Sequence, residues 1–232
     1  MRLYLSSYRL GDHAEKVTDF CRNGKVAIIG NALDFIPLDA RQEYESNVYS
    51  PSAEFNTLGL EAQELDLREY FGRQDDLAQD LRKFGLVWVL GGNAFLLVRA
   101  MRQSGFTTVI RELLRRDQVA YGGFSAGAIA ATPHLRGVDL MDDPSQLADR
   151  YDREIVWDGL GLVDFSIVPH FASDHPESHL ADQAVAFMKA ERLPYIAMRD
   201  GDAYVLEGAT GQLLAAKPST STPPSTPRIC TM

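Results

Sequence analysis

Ser125 lies in a pentapeptide whose spacing is typical of an enzymatic nucleophile. Residues 123–127 read Gly-Phe-Ser-Ala-Gly, the Gly-x-Ser-x-Gly pattern that places a serine on a sharp turn between a strand and a helix. Both flanking elements are predicted, the strand from the apolar run 118–121 and the helix from the good helix formers at 126–131. A turn of small residues without chemistry is the alternative for so short a motif.

His170 is the best-placed base for this serine. A serine hydroxyl becomes a good nucleophile when a base removes its proton, and that base is usually histidine. Among five histidines, His170 directly follows the predicted strand 165–168, and parallel sheets bind ligands beyond the carboxyl ends of their strands. We therefore predict that His170 is the base, against the alternative that it only packs in a loop.

The carboxylate that orients the base is expected between the serine and the histidine. Asp139, Asp142 and Asp143 lie there, in an acidic stretch that Pro144 turns. We select Asp142, and the other two remain open.

Acyl transfer also needs N–H donors aimed at the oxyanion. Ala126, which follows the nucleophile, should supply one donor. The turn Gly91-Gly92-Asn93 after the predicted strand 85–90 should supply the other, through Gly92. The same glycines would also suit a tight connection from strand to helix.

A metal site is the competing chemistry. Its ligands would be His170, Asp174, His175 and His179, with the last two histidines four residues apart on one helix. Pro176 lies between them, and no glutamate stands where the metalloprotease motif requires one. Polar residues near a helix start are more often caps, so we predict no metal and no cofactor.

The elements around these residues predict an α/β fold with a mainly parallel sheet flanked by helices. Strands are expected at 3–8, 25–29, 85–90, 118–121 and 165–168, and helices at 12–21, 75–83, 94–103, 107–115 and 178–192. Residues 58–67 are ambiguous between strand and helix. Residues 195–198 and 203–206 are predicted to form a small C-terminal hairpin.

Composition limits the class of protein. The 232 residues are 45% hydrophobic, which suits one domain over 1–216, and the Pro, Ser and Thr of 217–232 predict a disordered tail. A net charge of −9 argues against nucleic acid and anionic membranes as partners. Two distant cysteines and the lack of a signal peptide or a long apolar run predict a cytoplasmic protein without a disulfide. The expected assembly is a monomer or a homodimer, which the sequence does not distinguish.

Four short motifs in this order resemble the dipeptidase E family of serine peptidases, which includes aspartyl dipeptidases and cyanophycinases. They lie at residues 3–9, 90–95, 123–133 and 168–171, within a likeness that spans about residues 1–215. The resemblance implies a fold similar to class I glutamine amidotransferases, which is flavodoxin-like. It also implies that Ser125, His170 and an acid in a turn similar to Asn-Asp-Met-Pro cleave small peptides through an acyl-enzyme. That turn favours Asp142, although a spacing two residues longer than expected keeps Asp139 open.

Two departures bear on the substrate. Glutamine amidotransferases carry cysteine at the elbow, so serine argues against ammonia transfer from glutamine. Aspartyl dipeptidases are expected to have an arginine shortly after the base, but residues 171–188 contain no Lys or Arg. Aspartyl specificity would then require Arg150, Arg153 or Arg199 to fold into the site. Cleavage of β-aspartyl peptides and a binding module without catalysis are the alternative functions.

Overall fold

The computed structural model describes residues 1–218 and contains one large sheet and one small sheet. The strands are β1 (Arg2–Ser6), β2 (Lys25–Ile29), β3 (Glu61–Glu64), β4 (Leu86–Val89), β5 (Ala120–Phe124), β6 (Ser166–Val168), β7 (Tyr195–Ala197), β8 (Ala203–Glu207) and β9 (Thr210–Leu214). The large sheet has the order β3-β2-β4-β5-β1-β8-β9. Its first five strands are parallel, and β8 and β9 are antiparallel to their neighbours.

Helices cover both faces of the large sheet. They are α1 (Ala14–Phe20), α2 (Leu38–Asn47), α3 (Pro51–Thr57), α4 (Gln74–Leu81), α5 (Ala94–Gln103), α6 (Phe106–Arg115), α7 (Ala126–Ala130) and α8 (Ser178–Ala190). Successive strand residues point to opposite faces. Leu3 and Leu5 therefore pack with α4 to α7, while Tyr4 between them packs with α1 and α3. The predicted α/β fold with a mainly parallel sheet is confirmed.

Two segments without a firm prediction acquire regular structure. Part of the ambiguous stretch 58–67 is strand β3, at the edge of the large sheet. The polar residues 39–55, for which the sequence predicts no element, form most of α2 and α3. No residue of α2 is buried, so this helix lies on the surface, where several of its residues line the cleft described below.

The predicted pairing of the C-terminal hairpin is wrong. Strand β7, expected to pair with residues 203–206, instead pairs in parallel with β6. The hairpin is formed by β8 and β9 and turns at Gly208, whose φ is 63°. A short apolar run such as β7 does not encode the direction of its partner, so the sequence could not separate these pairings.

The C-terminal end of the described chain packs against its beginning. The N–H of Lys217 donates to Asp12. The rest of the predicted disordered tail, including Cys230, lies from residue 219 onward and therefore outside the described residues. Cys21 is buried and forms no disulfide within residues 1–218. Among residues 1–218, none of the helices has both the length and the apolar character needed to cross a membrane.

The arrangement of strands brings the predicted functional segments to one edge. Strands β1, β5 and β4 are parallel neighbours, so the residues that follow each of them meet at the carboxyl edge of the large sheet. Strands β6 and β7 are likewise parallel, and His170 and Asp200 follow them. The site is therefore assembled from the strand ends of both sheets.

Candidate active site

Ser125 occupies the sharp turn between β5 and α7. Its backbone has φ 47° and ψ −114°, a conformation that costs a non-glycine residue on the order of 1–3 kcal/mol. Its N–H lies 3.2 Å from the carbonyl oxygens of both Ser6 and Ser7. Gly127 permits this turn, because a methyl group there would overlap the carbonyl of Val89 on the neighbouring strand. The strand, turn and helix predicted around Ser125 are all present.

The Gly-Gly-Asn turn lies beside this serine. A methyl group on Gly91 would be 3.2 Å from the Cβ of Ser125, and Gly92 has a φ of 133° that favours glycine. The Asn93 side chain caps α5 by accepting a backbone N–H of its first turn at 2.9 Å. Ala126 is the first residue of α7, where N–H groups have no acceptor within the helix. The backbone N–H groups of Gly92 and Ala126 are thus the candidate oxyanion donors, while the Asn93 side chain serves the helix.

His170 is hydrogen-bonded to Asp200, a residue that the sequence interpretation did not single out. The distance from His170 Nδ1 to Asp200 Oδ1 is 2.8 Å. His170 is only 2% exposed, and its φ of 60° is a second left-handed conformation in the site. Since a carboxylate can only accept, Nδ1 carries the proton and Nε2 is left as the basic nitrogen.

Ser7 holds this pair in place from the large sheet. Its Oγ donates to Asp200 at 2.8 Å and accepts the His170 N–H at 2.8 Å. Burial raises the pKa of Asp200, but hydrogen bonds from His170 and Ser7 outweigh it, and the pKa lies below its usual value. Asp200 is therefore ionised at neutral pH and can stabilise a protonated His170.

Asp142, the acid selected from the sequence, has a different hydrogen-bond partner. Its Oδ2 accepts the Ala94 N–H at 2.7 Å, at the start of α5. Desolvation raises the pKa of Asp142 to about 7, with a further rise from the charge of Glu177 and opposing effects from the Ala94 N–H and His170. Asp142 is thus near the base, but the described carboxylate bonded to His170 Nδ1 is Asp200.

The two open candidates for the acid are bonded within their own loop. The Asp139 carboxylate accepts the Gly137 N–H at 3.0 Å. The Asp143 carboxylate accepts the N–H and hydroxyl of Ser145 at 2.8 and 2.7 Å. These contacts are typical of acidic residues that stabilise turns.

His175 and Glu177 surround the base. The rings of His170 and His175 are stacked, with centroids 3.8 Å apart and planes 9° apart, and Glu177 Oε2 is 3.9 Å from His170 Nε2. One potential ligand atom from each of the three residues lies within 4.8 Å of the others. However, the lone pairs of imidazole nitrogens lie in the ring planes, so two stacked rings cannot both point at one ion. The arrangement does not suit a shared metal.

The remaining histidines of the metal alternative do not complete such a site. His175 lies before α8, whereas His179 lies within it, so they do not share a helix face. The Glu177 N–H is 3.2 Å from His175 Nδ1, and the His179 ring nitrogen is 3.0 Å from the Pro176 carbonyl. Desolvation and the nearby His170 lower the pKa of His175, so its neutral form is favoured. With Nδ1 accepting, the ring proton of neutral His175 is on Nε2.

A cleft of about 380 Å³ opens over these groups. Its lining includes Ser125, His170, Gly91 and Gly92, together with two arginines, Arg9 and Arg41. Arg150, Arg153 and Arg199, one of which aspartyl specificity would require in the site, are not among the residues that line the cleft. The Arg150 guanidinium, for example, has Nη1 3.7 Å from Glu69 Oε1 and its central carbon 5.8 Å from the ring centre of Phe71.

A sequence model of peptidase family S51 matches residues 6–214. The chain belongs to peptidase family S51. An uncharacterized peptidase of Listeria monocytogenes is 31% identical over 144 residues, which are 61% of this chain and 66% of that protein. A peptidase E of Salmonella arizonae is 28% identical over 148 residues, 61% of this chain and 59% of that protein. The matched part therefore spans slightly less than two thirds of these relatives, and the resemblance to the dipeptidase E family is confirmed.

Solved structures agree with the fold. A crystal structure named for peptidase E of Listeria monocytogenes has a TM-score of 0.74 and 23% identity, and the match covers 93% of this chain and 98% of that one. A peptidase from an acI-B1 actinobacterium has a TM-score of 0.60 and 16% identity, with 93% and 94% covered. At these identities the likeness bears on the S51 fold alone.

Proposed function

We propose that this S51 protein is a serine peptidase that hydrolyses small peptides through Ser125, His170 and Asp200. The observation that carries the proposal is the shared cleft. A serine on a strained elbow and a histidine whose Nδ1 is bonded to an ionised carboxylate line the same 380 Å³ space. The family match and the relatives named peptidase E support the same class of reaction.

Each group has one role in the proposed mechanism. Ser125 Oγ attacks the peptide carbonyl carbon while its proton passes to His170 Nε2. The oxyanion is bound by the N–H groups of Gly92 and Ala126. His170 then donates the proton to the leaving amine, which leaves an acyl-enzyme, and a water that His170 deprotonates hydrolyses the ester. Throughout, Asp200 remains ionised and stabilises the imidazolium.

The size of the cleft favours a short substrate. A volume of about 380 Å³ is near the lower end of the ~300–1,000 Å³ range of small-molecule sites. We therefore propose dipeptides as the substrate class.

The nucleophile is tested with Ser125→Ala. The variant should fold normally, lose labelling by a fluorophosphonate probe, and lose hydrolysis across a panel of α- and β-linked aspartyl and neutral dipeptides. Thermal unfolding of the same sample checks that the fold is intact. Full hydrolysis by a folded Ser125→Ala protein would contradict the proposal.

The orienting acid is tested by two matched substitutions. Asp200→Asn should reduce kcat by roughly 10⁴-fold, because the asparagine amide favours the wrong tautomer of His170. Asp142→Asn should reduce kcat less than about 10-fold, since its oxygen can still accept the Ala94 N–H. Asp143→Asn, in the exposed part of the same turn, is the control. A larger loss from Asp142→Asn than from Asp200→Asn would assign the orienting role to Asp142.

A further inference from the structure

Arg9 has an unusual backbone conformation at the edge of the cleft. Its φ is 46°, in the left-handed region that non-glycine residues rarely adopt. The turn that imposes this conformation directly follows β1. It is closed by the Ser6 hydroxyl, which donates to the Arg9 carbonyl at 2.5 Å, and by the Gly11 N–H, which donates to Tyr8 at 3.0 Å. The carbonyl of the same Ser6 lies against the Ser125 N–H, so Arg9 is anchored to the backbone that holds the nucleophile.

Two aromatic rings fix the position of the Arg9 side chain. Its guanidinium carbon lies 4.0 Å from the ring centre of Tyr49 and 5.0 Å from that of Tyr8. Tyr49 is itself held, because its hydroxyl donates to Glu54 at 2.7 Å. A guanidinium stacked on an aromatic face keeps its N–H donors in the plane of the group, available for a partner at its edge.

The described residues do not supply that partner. Among residues 1–218, Arg9 forms no ion pair within 4.0 Å, whereas Arg41, the other arginine of the cleft, is paired at 3.2 Å with Asp34, whose side chain is 2% exposed. A planar cation held over a cleft with its donors free matches a carboxylate, which accepts two parallel N–H groups.

We propose that Arg9 binds a carboxylate of the peptide substrate and thereby determines specificity. This inference rests on the proposed peptidase function. The carboxylate is either an acidic side chain or the C-terminal group of the peptide, and both present the same two oxygens to the guanidinium.

The test uses four peptides that separate the two carboxylates: Asp-Leu, Asn-Leu, and the C-terminal amide of each. The values of kcat/KM are compared for wild type, Arg9→Met, Arg9→Lys and the control Arg150→Met, a residue that does not line the cleft. Arg9→Met should lower kcat/KM roughly 10- to 100-fold for peptides with the bound carboxylate and leave their neutral counterparts nearly unchanged. Arg9→Lys should recover part of the loss, since it keeps the charge without the paired donors.

Each pattern has one meaning. A loss confined to Asp peptides identifies the side chain, and a loss confined to free acids identifies the C-terminus. An equal loss for all four peptides, or no loss, overturns the proposal. Labelling by a fluorophosphonate probe at the wild-type rate checks that Arg9→Met has an intact Ser125.

A binding experiment keeps this inference separate from the peptidase proposal. If wild type hydrolyses none of the peptides, the catalytic proposal fails. Calorimetric titration of the same peptides into Ser125→Ala, with and without Arg9→Met, then tests Arg9 alone. Weaker binding of only the carboxylate-bearing peptides supports its role, and equal binding overturns it.

Discussion

Replacing Asp142 with asparagine should remove a pH-dependent cost to stability. Desolvation raises the pKa of Asp142 from 3.8 to about 7 in the folded protein, whereas an unfolded chain has a value near 3.9. Between these values the folded state holds a proton that the unfolded state has lost. The free energy of unfolding therefore decreases as pH rises through this window, and the decrease ends above about pH 7.

The size of the decrease depends on how much of the range between the two pKa values the experiment spans. Each pKa unit corresponds to about 1.4 kcal/mol. Between pH 5 and pH 8 about two units are crossed, or roughly 2.7 kcal/mol. Because the side chain is partly exposed and solvent screens it, we expect a contribution of about 2 kcal/mol. Asparagine cannot ionise, and its oxygen can still accept the Ala94 N–H.

Urea unfolding of wild type and Asp142→Asn at pH 5 and pH 8 measures this contribution. The difference between the two proteins, compared between the two pH values, cancels the other titrating groups that they share. From pH 5 to pH 8, the free energy of unfolding of wild type should decrease by about 2 kcal/mol more than that of the variant. Asp143→Asn is the control. Its free energy of unfolding should decrease as much as that of wild type, because hydrogen bonds from Ser145 keep the pKa of Asp143 below its usual value. Equal losses for wild type and Asp142→Asn would refute the raised pKa.

Three further substitutions test the supports of the site. Gly127→Ala should destabilise the fold by roughly 1–3 kcal/mol or more, because its methyl group meets the Val89 carbonyl, and a melting curve unchanged from wild type would contradict this close approach. Ser7→Ala should lower the free energy of unfolding in urea by about 1–3 kcal/mol and should also lower kcat. It removes a hydrogen bond to Asp200 and leaves the buried His170 N–H unpaired. Unchanged stability and kcat would argue against this role. Asp34→Ala should cost about 1–3 kcal/mol in the same assay, because Arg41 loses its paired carboxylate while Arg68 keeps Asp66; unchanged stability would show that the pair is dispensable.

The position of Ser125 could be predicted because the necessary information is local. Small residues, a preceding strand and a following helix specify the elbow within about a dozen residues. His170 was placed at a strand end by a similarly local pattern. The α/β fold was also predictable, since apolar strands alternating with helical stretches indicate a parallel sheet.

Asp200 could not be found in the same way, because its position depends on a pairing between distant segments. The sequence predicts residues 195–198 as one arm of a hairpin, which places Asp200 in the turn between the two arms. In the structure this segment is β7, parallel to β6, and the residues after two parallel strands meet. If residues 195–198 had been interpreted as a strand parallel to residues 165–168, Asp200 would have been placed beside His170.

Arg9 was missed for another reason. Its place in the cleft depends on a left-handed residue in the turn after β1 and on Tyr49, which lies 40 positions away. A left-handed arginine has no sequence signature comparable to that of glycine, and aromatic stacking between distant residues leaves no periodic pattern.

The proposed catalytic residues come from two different sheets, so local opening of one sheet would separate them. Ser125 follows a strand of the seven-stranded sheet, whereas His170 and Asp200 follow the two strands of the small one. Local opening generally costs less free energy than global unfolding, and a sheet of two three-residue strands is a natural unit for such opening. Loss of that unit alone would leave the nucleophile on an intact scaffold without its base. The catalytic lifetime of the protein would then depend on the smaller sheet, and on the Ser7 hydroxyl that ties it to the larger one.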